Sequence, residues 1–170
     1  MHPTLHPNFI QFLIEFNQNH DYFECHELLE EYWKEIAPRN KQHPIAALIL
    51  LSTSMYHWRR GNFAGARKTM RGFLNRITRL PLSPYDQMID CKTLIKDARQ
   101  SLSLIEKEQN FQQFTIQIMS DELRKRVHLT KNIPQDIEYL THKHMLRDRS
   151  QILAEREKEK KRRQQRYGSI

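Results

Sequence analysis

Glycine is nearly missing from this chain, with four residues in 170. So few leave no glycine-rich loop to cradle a phosphate. Cysteine is as scarce: Cys25 and Cys91 make no paired framework, which excludes a disulfide scaffold and leads us to expect a reducing compartment. The longest apolar run, "IAALILL" at 45–51, is far too short to cross a bilayer. The opening "MHPTLHPNFI" has no basic stretch followed by an apolar one, the pattern of a signal peptide. No convincing alternation of apolar and polar residues marks a strand, and no nucleophile motif or Cys/His zinc pattern occurs. These absences lead to the expectation of a cytoplasmic helical protein without membrane insertion.

What is present is charge. Charged residues make up 28% of the chain and hydrophobic ones 38%, so a core forms only where the apolar residues are concentrated, which is in the first 110. Residues 1–110 carry 14 Lys and Arg against 12 Asp and Glu, a net of +2, while residues 111–170 carry 14 against 8, a net of +6. Basicity belongs mainly to the C-terminal third, so it says nothing about the whole domain gripping anions.

Helical periodicity dominates. A first helix is expected over about Asn8–Phe16, capped by Asn8, and a second from an Asp21 cap, with Glu24 three residues on, to Pro38. The third starts near Pro44 and is apolar on nearly every side, so other helices must surround it. Gly61 suits a left-handed end to that helix, and Asn62 a cap for a fourth with an inner stripe of Ala66, Met70, Phe73, Leu74 and Ile77. A fifth is expected over Tyr85–Glu108, and "FTIQI" at 114–118 as a strand or an extended segment lying on the bundle. The fold class expected is all-α: a compact bundle of antiparallel helical hairpins with a closing helix. The expected domains are a bundle over 1–110, a connecting segment over 111–133, and a charged, basic C-terminal helix or tail over 134–170. In that tail Tyr139, Leu146 and Leu153 recur every seven residues as a weak seam.

The richest stretch chemically is "YFECHELLEEYW", residues 22–33. At 100° per residue, Tyr22, Cys25, Leu29, Tyr32, Trp33 and Ile36 share one apolar face; His26 falls inside it and Glu30 at its edge. Glu24, Glu27, Glu31 and Glu35 fall away from the core as a solvated face. Pairing the second and third helices about a turn at 38–43 brings His57 towards His26. His26, Glu30 and His57 are then a ligand set that zinc or a similar divalent metal accepts. They equally suit a buried hydrogen-bonded network, with Glu30 orienting His26 and His57 bonding a backbone carbonyl, or acid–base catalysis.

"HELLEEYW", followed about thirty residues later by "YHWRRGNFAGA", resembles the bacterial and archaeal domain-of-unknown-function family 309 over roughly residues 8–80. The matching positions are His26, Glu30, Glu31 and Trp33 on one helix, then His57, Gly61, Asn62, Gly65 and Ala66. Members of that family often carry a glutamine in the first half of the third helix, where this chain has only "ALILL". The resemblance implies an all-helical domain with no established activity, and it does not extend to the basic tail.

Three functions stand beside this reading. The first is a non-enzymatic interaction module, a bundle presenting a groove to a protein partner. The second is a metal-assisted hydrolase using His26, Glu30 and His57. The third is nonspecific nucleic-acid binding through Lys158, Lys160, Lys161, Arg162, Arg163 and Arg166, which carry a net +5 against Glu159 within residues 158–166. Almost no aromatic residue is present there to stack on bases.

Overall fold

The structure is a computed structural model and describes residues 1–130, 137–142 and 149–167. The described residues form an all-helical fold, and consecutive helices among the first five pack on one another. After a 3-10 turn at Pro3–Leu5 come α1 (Pro7–Ile14), α2 (Tyr22–Ile36), α3 (Pro44–Arg59), α4 (Phe63–Ile77), α5 (Cys91–Glu106), α6 (Asp121–Leu129), α7 (Ile137–Thr141) and α8 (Arg149–Tyr167). Among the described residues no helix is long and apolar enough to cross a membrane.

α3 is the axis of the core. Ile45, Ala47, Leu48, Leu51, Met55 and Trp58 are all buried along it. Its two buried hydroxyls are satisfied: Ser52 Oγ donates to the Leu48 carbonyl at 3.0 Å and Ser54 Oγ to the Ala66 carbonyl at 2.7 Å. Trp58, 1% exposed, closes a chain of ring contacts through Phe111, Tyr22, Phe16 and Phe12, and its indole N–H reaches the Gln109 carbonyl at 2.9 Å.

Four expectations are corrected. The cap of α1 is His6, not Asn8: Pro7 takes the first helical position, where its missing N–H costs nothing, and His6 Nδ1 accepts the Asn8 N–H at 3.2 Å. The Asn8 side chain instead donates to the Leu28 carbonyl and to Glu31, tying α1 to α2. The chain also does not stop at Phe16 but widens into a π turn over Glu15–Asn19, ended by His20 in the left-handed region at φ 54°. The apolar face of α2 ends earlier than expected: Trp33 is only half-buried and Ile36 is 41% exposed. The last turn of α2 overhangs the core, and Trp33 holds the exit loop by donating its indole N–H to the Asn40 carbonyl at 2.8 Å. The fifth helix is split into a 3-10 turn at Tyr85–Gln87 and α5. Between them the Met88 carbonyl accepts the Met119 N–H at 2.8 Å and the Asp90 N–H donates to the Gln117 carbonyl at 2.9 Å, an antiparallel bridge of Ile89 with Ile118 that turns these two groups away from a helix axis.

Residues 111–118 run extended across the bundle, clamped where the Asn17 amide bonds both the N–H and the C=O of Ile116. They lead into α6, a helix that periodicity alone did not reveal. Ser120 caps it, and Leu123 and Val127 bury themselves where it packs on α1. Further on, Leu140 of α7 is buried, and its carbonyl accepts from Arg59 Nη2 at 3.0 Å. The seam of Tyr139, Leu146 and Leu153 lies outside the described side chains.

Candidate functional site

The polar constellation sits where α2 and α3 face each other across a cleft of about 270 Å³. Phe23 and Tyr56 form an edge-to-face pair in its wall, and His26, Glu27, His57 and Arg60 line it as well. On α2, His26 Nδ1 lies 3.3 Å from Glu27 Oε1 and 4.0 Å from Glu30 Oε2. The other Glu30 oxygen holds Lys34 Nζ at 2.9 Å. His26, Glu27 and Glu30, all partly buried, present ligand atoms within 4.8 Å of one another, a spacing compatible with a metal ion.

Of the three residues expected to converge, His26 and Glu30 stand together on α2. His57 lines the same cleft from α3 but stands outside the compact ligand group, and Glu27 takes its place. The sequence expectation sets Glu27 on the solvated face. Glu27 lies one residue, about 100°, from His26, so a projection turns it away from the apolar stripe, but its side chain is long enough to swing back towards His26.

His57 is held by the turn after α3. Gly61 adopts φ 76°, a conformation that favours glycine, and Asn62 follows as the cap of α4, its Oδ1 accepting the Gly65 N–H at 3.0 Å. The Asn62 Nδ2 lies 3.1 Å from His57 Nδ1. A Cβ at position 65 would sit 2.7 Å from Asn62 Nδ2 and 3.1 Å from His57 Cδ2, so the ring and the amide occupy the space a larger residue would need. Burial first, and then Arg60, lower the His57 pKa and favour the neutral ring. The Arg60 guanidinium lies 5.4 Å from the centre of the Tyr56 ring.

The other motif positions hold the frame: Glu31 accepts from the Asn8 amide, Trp33 holds the α2–α3 loop, and the Ala66 carbonyl receives Ser54 where α4 lies against α3. The family model for a domain of unknown function (DUF309) matches residues 9–69, which include every residue lining the cleft. Across 91% of the chain and 94% of the relative's length, the sequence is 32% identical, over 164 residues, to "Uncharacterized protein YpuF" of Bacillus subtilis (strain 168). The chain belongs to the DUF309 family. No solved structure matches it.

Two features lie outside the DUF309 cleft. At the far end of α2 is a second, larger cleft of about 510 Å³, lined by His2, His6, His43, Tyr32 and Tyr85 among others. Each of these histidines precedes a proline and caps the element that follows, its Nδ1 accepting from Thr4, Asn8 and Ile45 N–H in turn. His6 also stacks on Tyr32, with ring centres 4.3 Å apart. The sequence carries a signal for this end, three His-Pro dipeptides at 2–3, 6–7 and 43–44, which helical periodicity does not register. The other feature is α8, in which every side chain from Ala154 to Gln165 is exposed. Lys158, Lys160, Lys161, Arg162 and Arg163 all stand in solvent, with Arg162 and Arg163 sharing Glu159 at 3.8 and 3.9 Å; the Arg166 side chain lies outside the description.

Proposed function

We propose that the DUF309 cleft is a divalent-cation site, with His26, Glu27 and Glu30 as its protein ligands and the cleft beside them receiving a small molecule. One observation carries this reading: three side chains of metal-binding type offer ligand atoms within 4.8 Å, and two of them also line a cleft. Bonds of roughly 2.1 Å from a tetrahedral metal place its ligand atoms about 3.4 Å apart. His26 and Glu27 stand at 3.3 Å, and His26 and Glu30 at 4.0 Å. The first pair fits as it is, and the second needs one carboxylate rotation. An imidazole with two carboxylates suits zinc, manganese or iron better than calcium or magnesium. The reading keeps the metal of the hydrolase expectation and replaces His57 with Glu27 among the ligands. It is a binding function and includes no hydrolytic step.

Thermal melting of the purified, chelator-treated protein tests it. A ligand at one hundred times its Kd adds about 2.7 kcal/mol to the folded state. Manganese or zinc should raise the melting temperature of the wild type and leave that of His26→Ala unmoved. An equal rise in both, or none in the wild type, sinks the reading.

The exposure of α8 favours a second, weaker role in nonspecific contact with nucleic acid. Its described lysines and arginines already face solvent, so phosphates meet no packing to displace. Binding to duplex DNA that survives deletion of residues 155–170 would remove it.

A further inference from the structure

We propose that His57 and Arg60 form an oxyanion-binding wall of the α2–α3 cleft, and that its ligand is a small phosphate-bearing molecule held between this wall and the cation. The inference deepens the cation reading, and the bridging half of it rests on that reading.

The starting point is an amide whose orientation is fixed. The Gly65 N–H can bond only an acceptor, so the Asn62 atom 3.0 Å away is its carbonyl oxygen. The amide nitrogen is then the atom facing His57 Nδ1 at 3.1 Å, and an amide nitrogen only donates. His57 Nδ1 must accept. In the neutral ring the proton therefore sits on Nε2, which becomes a donor and is not a metal ligand in this state.

Arg60 lines the same cleft and has donors only. Its contact with the Tyr56 ring holds the guanidinium on that wall. One wall of the cleft thus offers donors and positive charge, and the α2 side offers His26 and Glu27, with Glu30 beside them outside the lining. An anion alone would be repelled by the two carboxylates. With a divalent cation there, an oxyanion is attracted from both sides. A phosphate monoester has three tetrahedrally arranged free oxygens, which it can share between a cation and neighbouring donors. Phe23 and Tyr56 leave an aromatic surface for the rest of such a molecule. The glycine at 65 belongs to the same device, because a Cβ there would push on both the amide and the ring.

Two measurements on the intact chain test this. Long-range proton–nitrogen spectra of the histidine rings, with His57 assigned from His57→Gln, should show His57 protonated at Nε2. The fixed pattern should give way to a tautomer mixture in Asn62→Ala. A ring protonated at Nδ1 in the wild type overturns the wall. Calorimetry with phenyl phosphate and manganese then reads the ligand. His57→Phe should weaken phenyl phosphate about tenfold, the loss of one charge-assisted hydrogen bond. His57→Gln, whose amide also donates, should recover most of it, and Arg60→Gln should weaken it at least as much. Equal binding by wild type and these variants overturns the inference, as does manganese binding with no uptake of phenyl phosphate, which leaves the cation reading standing. Uptake that depends on His57 in a protein that binds no manganese supports the wall and removes the cation.

Discussion

The helices α3 and α8 are of similar length and obey opposite rules. Along α3 eleven of the sixteen residues are buried and none is exposed, and Ser52, Ser54 and the Trp58 indole each bond a specific carbonyl. Along α8 every described side chain is exposed, and its ion pairs are local, Arg162 and Arg163 sharing one glutamate. Surface pairs of this kind contribute about 0.2–0.5 kcal/mol each. One helix is held by the fold and the other by its own sequence, so damage to the first is felt everywhere and damage to the second only where it stands.

The contrast breaks first at Trp58. Trp58→Ala removes a ring packed on Phe111 and leaves the Gln109 carbonyl without its donor, and should cost about 3–5 kcal/mol in urea unfolding. Trp33→Ala should cost less, about 1–2 kcal/mol, because only part of that ring leaves water. Equal losses at the two tryptophans would mean that α2 overhangs the core less than the exposed Ile36 indicates.

Acid should act on the bundle and spare α8. Burial lowers the pKa of His20, His43 and His57 from the ordinary 6.5, so each is held neutral in the fold. Their contribution is fully present above pH 6.5 and is lost as the pH falls from there through the folded-state values, because the unfolded chain takes up protons first. His43 adds a geometric reason, since protonation of Nδ1 ends its cap on Ile45. Melting followed from pH 7.5 downward should show this loss, and His43→Asn, which keeps a capping oxygen, should flatten the curve. A stability that is level across that range would contradict the neutral assignment.

The smallest effect on folding belongs to α8. Deleting residues 155–170 should leave the melting temperature unchanged, since none of the described side chains there is buried. If the segment contacts duplex DNA, neutralising about five phosphates gives a log–log salt slope near −4.5 that the truncated chain loses.

What was legible from sequence follows the same division between local and long-range causes. The Asp21 and Asn62 caps, the left-handed Gly61 and the buried α3 were all readable, because each depends on residues a turn apart. The break before α5 was not, because it is made by a single bridge from Ile89 to Ile118, almost thirty positions away. α6 carried its signal in Ser120 and the acids after it, but its two buried residues, Leu123 and Val127, are too few for periodicity to stand out. At the cleft, an angular projection sets His26 and Glu30 on one side of α2, and the hairpin pairing sets His57 on the facing helix. The projection dismissed Glu27 because it follows Cβ directions and ignores the reach of a long side chain.

Glu27 and Glu31 set the sharpest contrast on α2. Glu27 lies against His26 in the cleft, while Glu31, four residues on, is held by the Asn8 amide and takes no part in the ligand group. Both are single acids on one helix, and replacing either by glutamine removes the same charge. Calorimetric titration of manganese into wild type, Glu27→Gln and Glu31→Gln should give one site in the first and third and a loss of about tenfold or more in the second. Equal binding in the two variants would show that the cation is not held where His26, Glu27 and Glu30 meet.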